Sequence, residues 1–181
     1  MLVFTAGLSA AELHISYPVL QRMLAEQAFT QDGRRYVRGT PATRCNFAYL
    51  ENPRISGENG RLIIQARFTG RTAWDVMGRC VGMGDAFDVR ISGRPDYQRA
   101  GLSLKEVGVD ISRDTFYSRR VKDALRRSME RDFHYDVTSQ ARKMLESQGA
   151  YKTEIRSFEA PRVWLDNESV VLEIQFILMV K

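Results

Sequence analysis

The sequence predicts an α+β fold in which a curved antiparallel sheet wraps one long helix in the second half of the chain, with a short helix near the N-terminus. Three observations carry this. From Tyr117 the apolar residues Val121, Leu125, Met129, Phe133, Val137, Ala141 and Leu145 recur every fourth position, helical spacing sustained over about eight turns. Strands with apolar inward residues flank that stripe, Leu62, Ile64, Ala66 and Phe68 before it and Val170, Leu172, Ile174, Phe176, Leu178 and Val180 after it. No repeat, linker or low-complexity segment divides the chain, so residues 1–181 read as a single domain. The space between helix and sheet is then either packed core or a greasy groove.

Taken in order, Ser9-Ala10-Ala11-Glu12 has the form of a capping box, but Pro18 delays the helix. A start at Ser16 or Tyr17 puts Pro18 in the first turn, where a missing N–H costs nothing, and leaves His14 and Ile15 to an incoming strand. Residues 30 to 44 are polar and rich in Arg and Gly, a loop or weak edge strand. From Cys45 the period drops to two, with Cys45, Phe47 and Tyr49 on one face, a break at Asn52-Pro53, and a turn at Gly57-Glu58-Asn59-Gly60. Arg61, Gln65 and Arg67 point outward, so the sheet is covered on one side. Gly70, Gly78, Gly82 and Gly84 predict a bent, bulged strand or a loop.

Phe87, Val89 and Ile91 form the next strand. Leu102, Leu104, Val107, Val109 and Ile111 follow, with a phase slip at Lys105-Glu106 that predicts a bulge. Asp114 is the expected N-cap of the long helix, whose solvent side carries cations at 119, 120, 122, 126, 127 and 131. A kink or short break is expected between Asp132 and Ser139, with the helix resuming through Leu145 and stopping at Gly149. Strands over 151–158, 162–165 and 170–180 finish the chain.

Composition narrows the function. With 44% hydrophobic and 27% charged residues, and no run of roughly 20 apolar residues, the chain reads as a globular protein rather than an integral membrane one. The opening residues 1–7 are short and lack a basic segment, so no signal peptide is expected, a trimmed leader being the alternative. The net charge of +5 comes from an arginine-rich set and suits anionic partners such as nucleic acid, phospholipid head groups or lipopolysaccharide, although a plain solubilising surface is the favoured reading. Cys45 and Cys80 fit no zinc spacing and are either two buried thiols or one disulfide. With His14 and His134 as the only histidines, no metal site or cofactor is expected.

Catalytic signatures are missing: there is no GxSxG, P-loop, HExxH or dinucleotide fingerprint, and Gly82-Met83-Gly84 lacks the third glycine at Phe87. Glu130, Asp132 and Asp136 read as a solvated helix face. A non-enzymatic protein is expected. Arg34-Arg35-Tyr36-Val37-Arg38 and the pairs Arg119-Arg120 and Arg126-Arg127 suit nucleic acid, but Asp114, Asp123, Glu130 and Asp132 interrupt them and no RNA-binding motif is present. The long stripe, with seven methionines and nine phenylalanines, suits flexible hydrocarbon chains better.

The order of parts resembles a single module of the TULIP (tubular lipid-binding) superfamily, and more narrowly the small bacterial envelope proteins of that group, often lipoproteins. The resemblance rests on Leu13 through Leu24, on Asn52-Pro53-Arg54-Ile55 followed by Gly60-Arg61-Leu62-Ile63-Ile64, on Gly93 through Val109 with its glycine, proline-x-tyrosine, strand and valine pattern, and on Val163 through Ile174 as a terminal hairpin. It covers most of the chain through hydrophobicity and turn patterns, without invariant catalytic residues. The lack of a signal peptide and lipobox cysteine departs from the envelope members.

The resemblance implies a half-barrel around the long helix, a lipid or fatty-acyl ligand between them, lipid transport, and a periplasmic or cell-envelope location. It also allows peripheral contact with an anionic membrane and end-to-end joining of two copies as a homodimer. The groove lining would come from Leu62, Ile64, Phe68, Phe87, Val89, Ile91, Val121, Leu125, Met129, Phe133, Leu172, Ile174 and Phe176, with Arg67 or Arg126 meeting an anionic head group. Leu125→Asp or Met129→Glu would abolish lipid uptake and spare the fold if these positions face a groove. The alternative function is a scaffold with a filled core that docks a protein partner, and the third is nucleic-acid binding through the arginine clusters.

Overall fold

Alternation of period two dominates the chain between Asn46 and Ile111, and it builds one continuous antiparallel meander. The computed structural model describes residues 10–139 and 153–180, without the side chains of residues 10, 132, 153–156, 176 and 178–180. Its elements are β1 (Ala10–Ser16), α1 (Tyr17–Ala28), β2 (Arg34–Arg38), β3 (Asn46–Glu58), β4 (Arg61–Val76), β5 (Arg79–Gln98), β6 (Gly101–Ile111), α2 (Phe116–Asp132), β7 (His134–Tyr135), β8 (Thr153–Leu165) and β9 (Ser169–Val180). Strands β2 to β7 form a six-stranded sheet in sequence order, and β1, β9 and β8 form a second sheet. The larger sheet is curled into a half-barrel; its end strands β2 and β7 do not pair with each other, so it stays open.

Of the strand positions read as inward, Leu62, Ile64, Ala66, Phe68, Val170 and Leu172 are buried and Ile174 is half-buried, while the side chains of Phe176, Leu178 and Val180 lie outside the described ones. Leu62, Ile64, Ala66 and Phe68 on β4 pair with Gly93, Ile91, Val89 and Phe87 on β5, and the phenyl rings of Phe68 and Phe87 stack 4.8 Å apart. Each of the leucine, isoleucine, valine and phenylalanine side chains contributes about 1.5–3 kcal/mol through the apolar area it removes from water. The phase slip on β6 is a bulge: the ladder with β5 shifts register between Ser92 and Arg94, and Glu106 takes φ 52°. Asn52-Pro53 is also a bulge, with Asn52 at φ 53°, so β3 bends there instead of breaking. β1 holds His14 and Ile15, and α1 starts at Tyr17 with Pro18 in its first turn.

The single long helix is not what forms. α2 has 17 residues and ends at Asp132, because Phe133 leaves the helix with extended backbone and His134-Tyr135 pairs with Ser103-Leu102 of β6. Poor helix formers at 134–136 let sheet hydrogen bonds replace helical ones. Residues 137–139 are again helical, and Ala141, Leu145 and Gly149 lie outside the described residues.

Asp114 is not the N-cap either. Thr115 caps the helix, its hydroxyl accepting from the Ser118 N–H at 3.0 Å while the Ser118 hydroxyl accepts from the Thr115 N–H at 2.8 Å. Asp114 instead pairs with Arg119. The strands read separately at 151–158 and 162–165 are one strand, β8, with its register shifting between Glu159 and Arg162.

The small sheet closes the end of the molecule where β5 and β6 turn. The Tyr97 hydroxyl donates to the Phe158 carbonyl at 3.3 Å, and the Tyr17 hydroxyl donates to the Asp166 carbonyl at 2.7 Å. α1 lies along β3, with Leu20 and Ile55 in the core and the Gln21 side-chain carbonyl accepting from the Ile55 N–H.

Candidate functional site

α2 does not seal the inner face of the large sheet. On one flank it carries Phe116, Tyr117, Arg120, Val121, Ala124, Leu125, Ser128 and Arg131, positions that helical spacing brings onto one stripe. Opposite stand residues 35–38 of β2, Phe47 and Ala48 of β3, Phe68 and Thr72 of β4 and Met83 of β5. The gap between them is an open groove of about 690 Å³, within the usual size range of small-molecule sites, roughly 300–1,000 Å³.

Its floor is aromatic and aliphatic. Tyr117 tilts over Phe68 with centroids 6.3 Å apart, and the backbone at Gly70 makes room for the Tyr117 hydroxyl, which a Cβ there would approach to 2.5 Å. Burial pushes the Tyr117 phenol above its ordinary pKa, against the opposing influences of a hydrogen bond with Thr72 and the nearby charge of Arg38.

The lining is one-signed. Arg35, Arg38, Arg120 and Arg131 surround the groove, and no Asp or Glu is among its described lining residues. Arg35 and Arg38 form no ion pair among the described residues, and the Arg120 guanidinium lies 5.2 Å from the Phe116 ring centroid. Neighbouring Arg34 is committed elsewhere, to Glu51 at 3.2 Å and the face of Tyr49. An apolar trough edged by four guanidinium groups can hold a hydrocarbon chain and meet an anionic or phosphate group with charge-assisted hydrogen bonds.

Arg35 also borders a smaller cavity of about 180 Å³ between α1 and the end of α2, lined by Leu20, Met23, Leu24, Ile55, Phe133 and Tyr135 among others. The Tyr135 hydroxyl is buried there without a hydrogen-bond partner among the described residues. A third concavity, of about 660 Å³, lies on the sheet's outer face, where Arg67–Asp88 and Arg90–Glu58 pairs satisfy the charge.

Of the residues expected to line a groove, Phe68, Val121 and Leu125 do so. Leu62, Ile64, Phe87, Val89, Ile91, Met129 and Leu172 are packed in the core, Ile174 packs half-buried against it, and Phe133 borders the smaller cavity. The side chain of Phe176 lies outside the described ones. Arg67 faces the outer side beside Asp88, and Arg126 does not line the groove.

Half of the groove's cations come from β2, whose Arg34-Arg35-Tyr36-Val37-Arg38 run was legible as a cationic cluster but not as the wall of an apolar trough. Phe47, Met83 and Phe116 were missed because their contacts are non-local. Among the described residues no group of three or more His, Cys, Asp or Glu is placed to hold a metal, and no helix is long and apolar enough to cross a membrane. No protein-family model matches the chain, and neither a curated protein nor a solved structure does.

Proposed function

We propose that this chain is a non-enzymatic binding or carrier protein for a lipid or another hydrophobic ligand with an anionic end, lodged in the groove between α2 and strands β2 to β5. On this reading it is a TULIP-like half-barrel acting in lipid transport in the cell envelope. The observation that carries the reading is the pairing of a groove of about 690 Å³, floored by Phe68, Val121 and Leu125, with Arg35, Arg38, Arg120 and Arg131 around it. Each methylene buried there contributes about 0.8 kcal/mol, so roughly ten would supply about 8 kcal/mol before ordering costs. The arginines orient the chain with its head group outward.

The test is native mass spectrometry of the freshly purified protein, with organic extraction of the same sample and uptake of phosphatidylglycerol. A lipid-sized adduct in a one-to-one ratio is expected. Val121→Asp places a carboxylate in the groove at a half-buried position and is expected to weaken uptake more than about tenfold with the thermal midpoint unchanged. Leu125 is only 2% exposed, so Leu125→Asp is expected to unfold the protein instead. A clean apo mass with no uptake from mixed phospholipids would overturn the carrier reading and favour a filled scaffold.

A further inference from the structure

Beyond the start of α2 the groove-side face of β4 and β5 has no helix over it among the described residues, yet it keeps large apolar side chains. Cross-strand partners in an antiparallel ladder share a face, so the row that begins with Phe68–Phe87 runs on through Gly70–Asp85, Thr72–Met83 and Trp74–Val81 to Val76–Arg79. Trp74 is 79% exposed, Met83 62%, Val76 and Val81 more than half, and Met77 at the turn completely. Met83 and Phe116, itself largely exposed, belong to the groove lining, so the bare apolar arm continues out of the groove.

The arm is rigid. Cys80 is bonded to Cys45, and the Gly78 N–H donates to the Asp75 carboxylate at 2.8 Å. Met77 and Gly78 form a two-residue loop with φ 52° and 78°, positions where Asn-Gly is the favoured pair. A methionine there takes the left-handed conformation without the side-chain compensation of an asparagine and still presents its whole thioether to solvent. Arg79 directly follows the loop, Arg44 precedes the cysteine bonded to Cys80, and Arg71 lies further back on β4; none of them forms an ion pair among the described residues, and the carboxylate at the tip is that of Asp75.

We propose that the β4–β5 tip docks the protein onto an anionic lipid bilayer, with Trp74, Val76, Met77 and Val81 entering the boundary between head groups and acyl chains. Indole favours that boundary because its ring is apolar and its N–H polar. The three arginines keep their heads at the phosphates while their stems follow the apolar residues inward. An apolar point backed by cations that outnumber the Asp75 carboxylate, which accepts the Gly78 N–H, matches an anionic bilayer in both respects. The docking is independent of what fills the groove.

The experiment uses the full, oxidised chain and vesicles of phosphatidylcholine with or without phosphatidylglycerol. Co-flotation of the unmodified protein is expected only with phosphatidylglycerol and is weakened by salt. In a Trp164→Phe variant Trp74 is the sole tryptophan, and its emission is expected to shift to the blue on those vesicles. Trp74→Ser with Met77→Asp should reduce partitioning about tenfold or more at an unchanged thermal midpoint, since both side chains are exposed. Val121→Asp should dock normally, which separates this result from loss of groove binding.

Failure of the unmodified protein to float with anionic vesicles would overturn the proposal, as would undiminished flotation of the tip variant. A tip-dependent dimer that forms without lipid and does not float would assign the patch to a second copy of the chain.

Discussion

Tyr17 shows how one side chain joins three elements. It opens α1, its hydroxyl donates to the Asp166 carbonyl at the β8–β9 turn, and its ring lies over Gly57 of β3. A Cβ at Gly57 would run into that hydroxyl, so the glycine is there for close approach; its φ is not in the left-handed region. Gly57→Ala is therefore expected to destabilise by about 1–3 kcal/mol in urea unfolding. Tyr17→Phe alone should cost about 1 kcal/mol for the lost hydrogen bond. Because both changes act on the same contact, the double variant should lose less than the sum. The sequence reads Gly57 as part of a turn cluster, whereas it is a strand residue of β3 and the turn is Asn59-Gly60; its partner, 40 residues earlier in the chain, leaves no local signal.

Two elements differ from their local signals, for different reasons. The apolar stripe from Tyr117 to Val137 is real, and Leu125, Met129 and Val137 are all buried, but the last of these lies beyond a break where β7 joins the sheet. A fourfold spacing survives such a break because only the side-chain positions, not the backbone hydrogen bonds, are written in it. The β4–β5 arm inverts the case: its glycines suggested a bend or loop, yet it is a regular hairpin through Gly70, Gly82 and Gly84. At Gly82 a Cβ would collide with Ala73 and the backbone carbonyl of Thr72, so the glycine serves packing within the ladder.

The Cys45–Cys80 bond, spanning 35 residues, ties the start of β3 to this arm. By loop-closure entropy it contributes about 4 kcal/mol. Cys45→Ser with Cys80→Ser is expected to lower the urea midpoint accordingly and to speed hydrogen exchange at the arm more than in the core of β4 and β5. Equal exchange in the arm of both proteins would show that the bond does not stiffen it.

Across the whole molecule three tyrosines sit at the joints between layers: Tyr17 between α1 and the small sheet, Tyr117 between α2 and β4, and Tyr135 where β7 meets β6. Burial is the leading cause that raises each phenol above the ordinary value of 10.0. The folded protein thus holds these protons more tightly than the unfolded chain, so their contribution is complete below pH 10 and is lost as pH rises through the folded values. The urea midpoint is expected to fall as pH rises above the ordinary phenol value of 10.0, and less so in Tyr135→Phe. A midpoint unchanged above that value would show that the three phenols ionise as freely in the folded state.

The sequence by itself determined the strand faces, the first helix, the β6 bulge and the α+β class. Each follows from periodicity, turn chemistry or a proline, which act over a few residues. Tertiary structure alone decided that the break expected after Asp132 becomes a strand paired with β6, that Cys45 meets Cys80, and that Arg35 and Arg38 of β2 share a groove with Arg120 and Arg131 of α2. It also decided which apolar residues pack as core and which line a groove or face water at the arm, because the same alternation of side chains continues whether or not another element covers it.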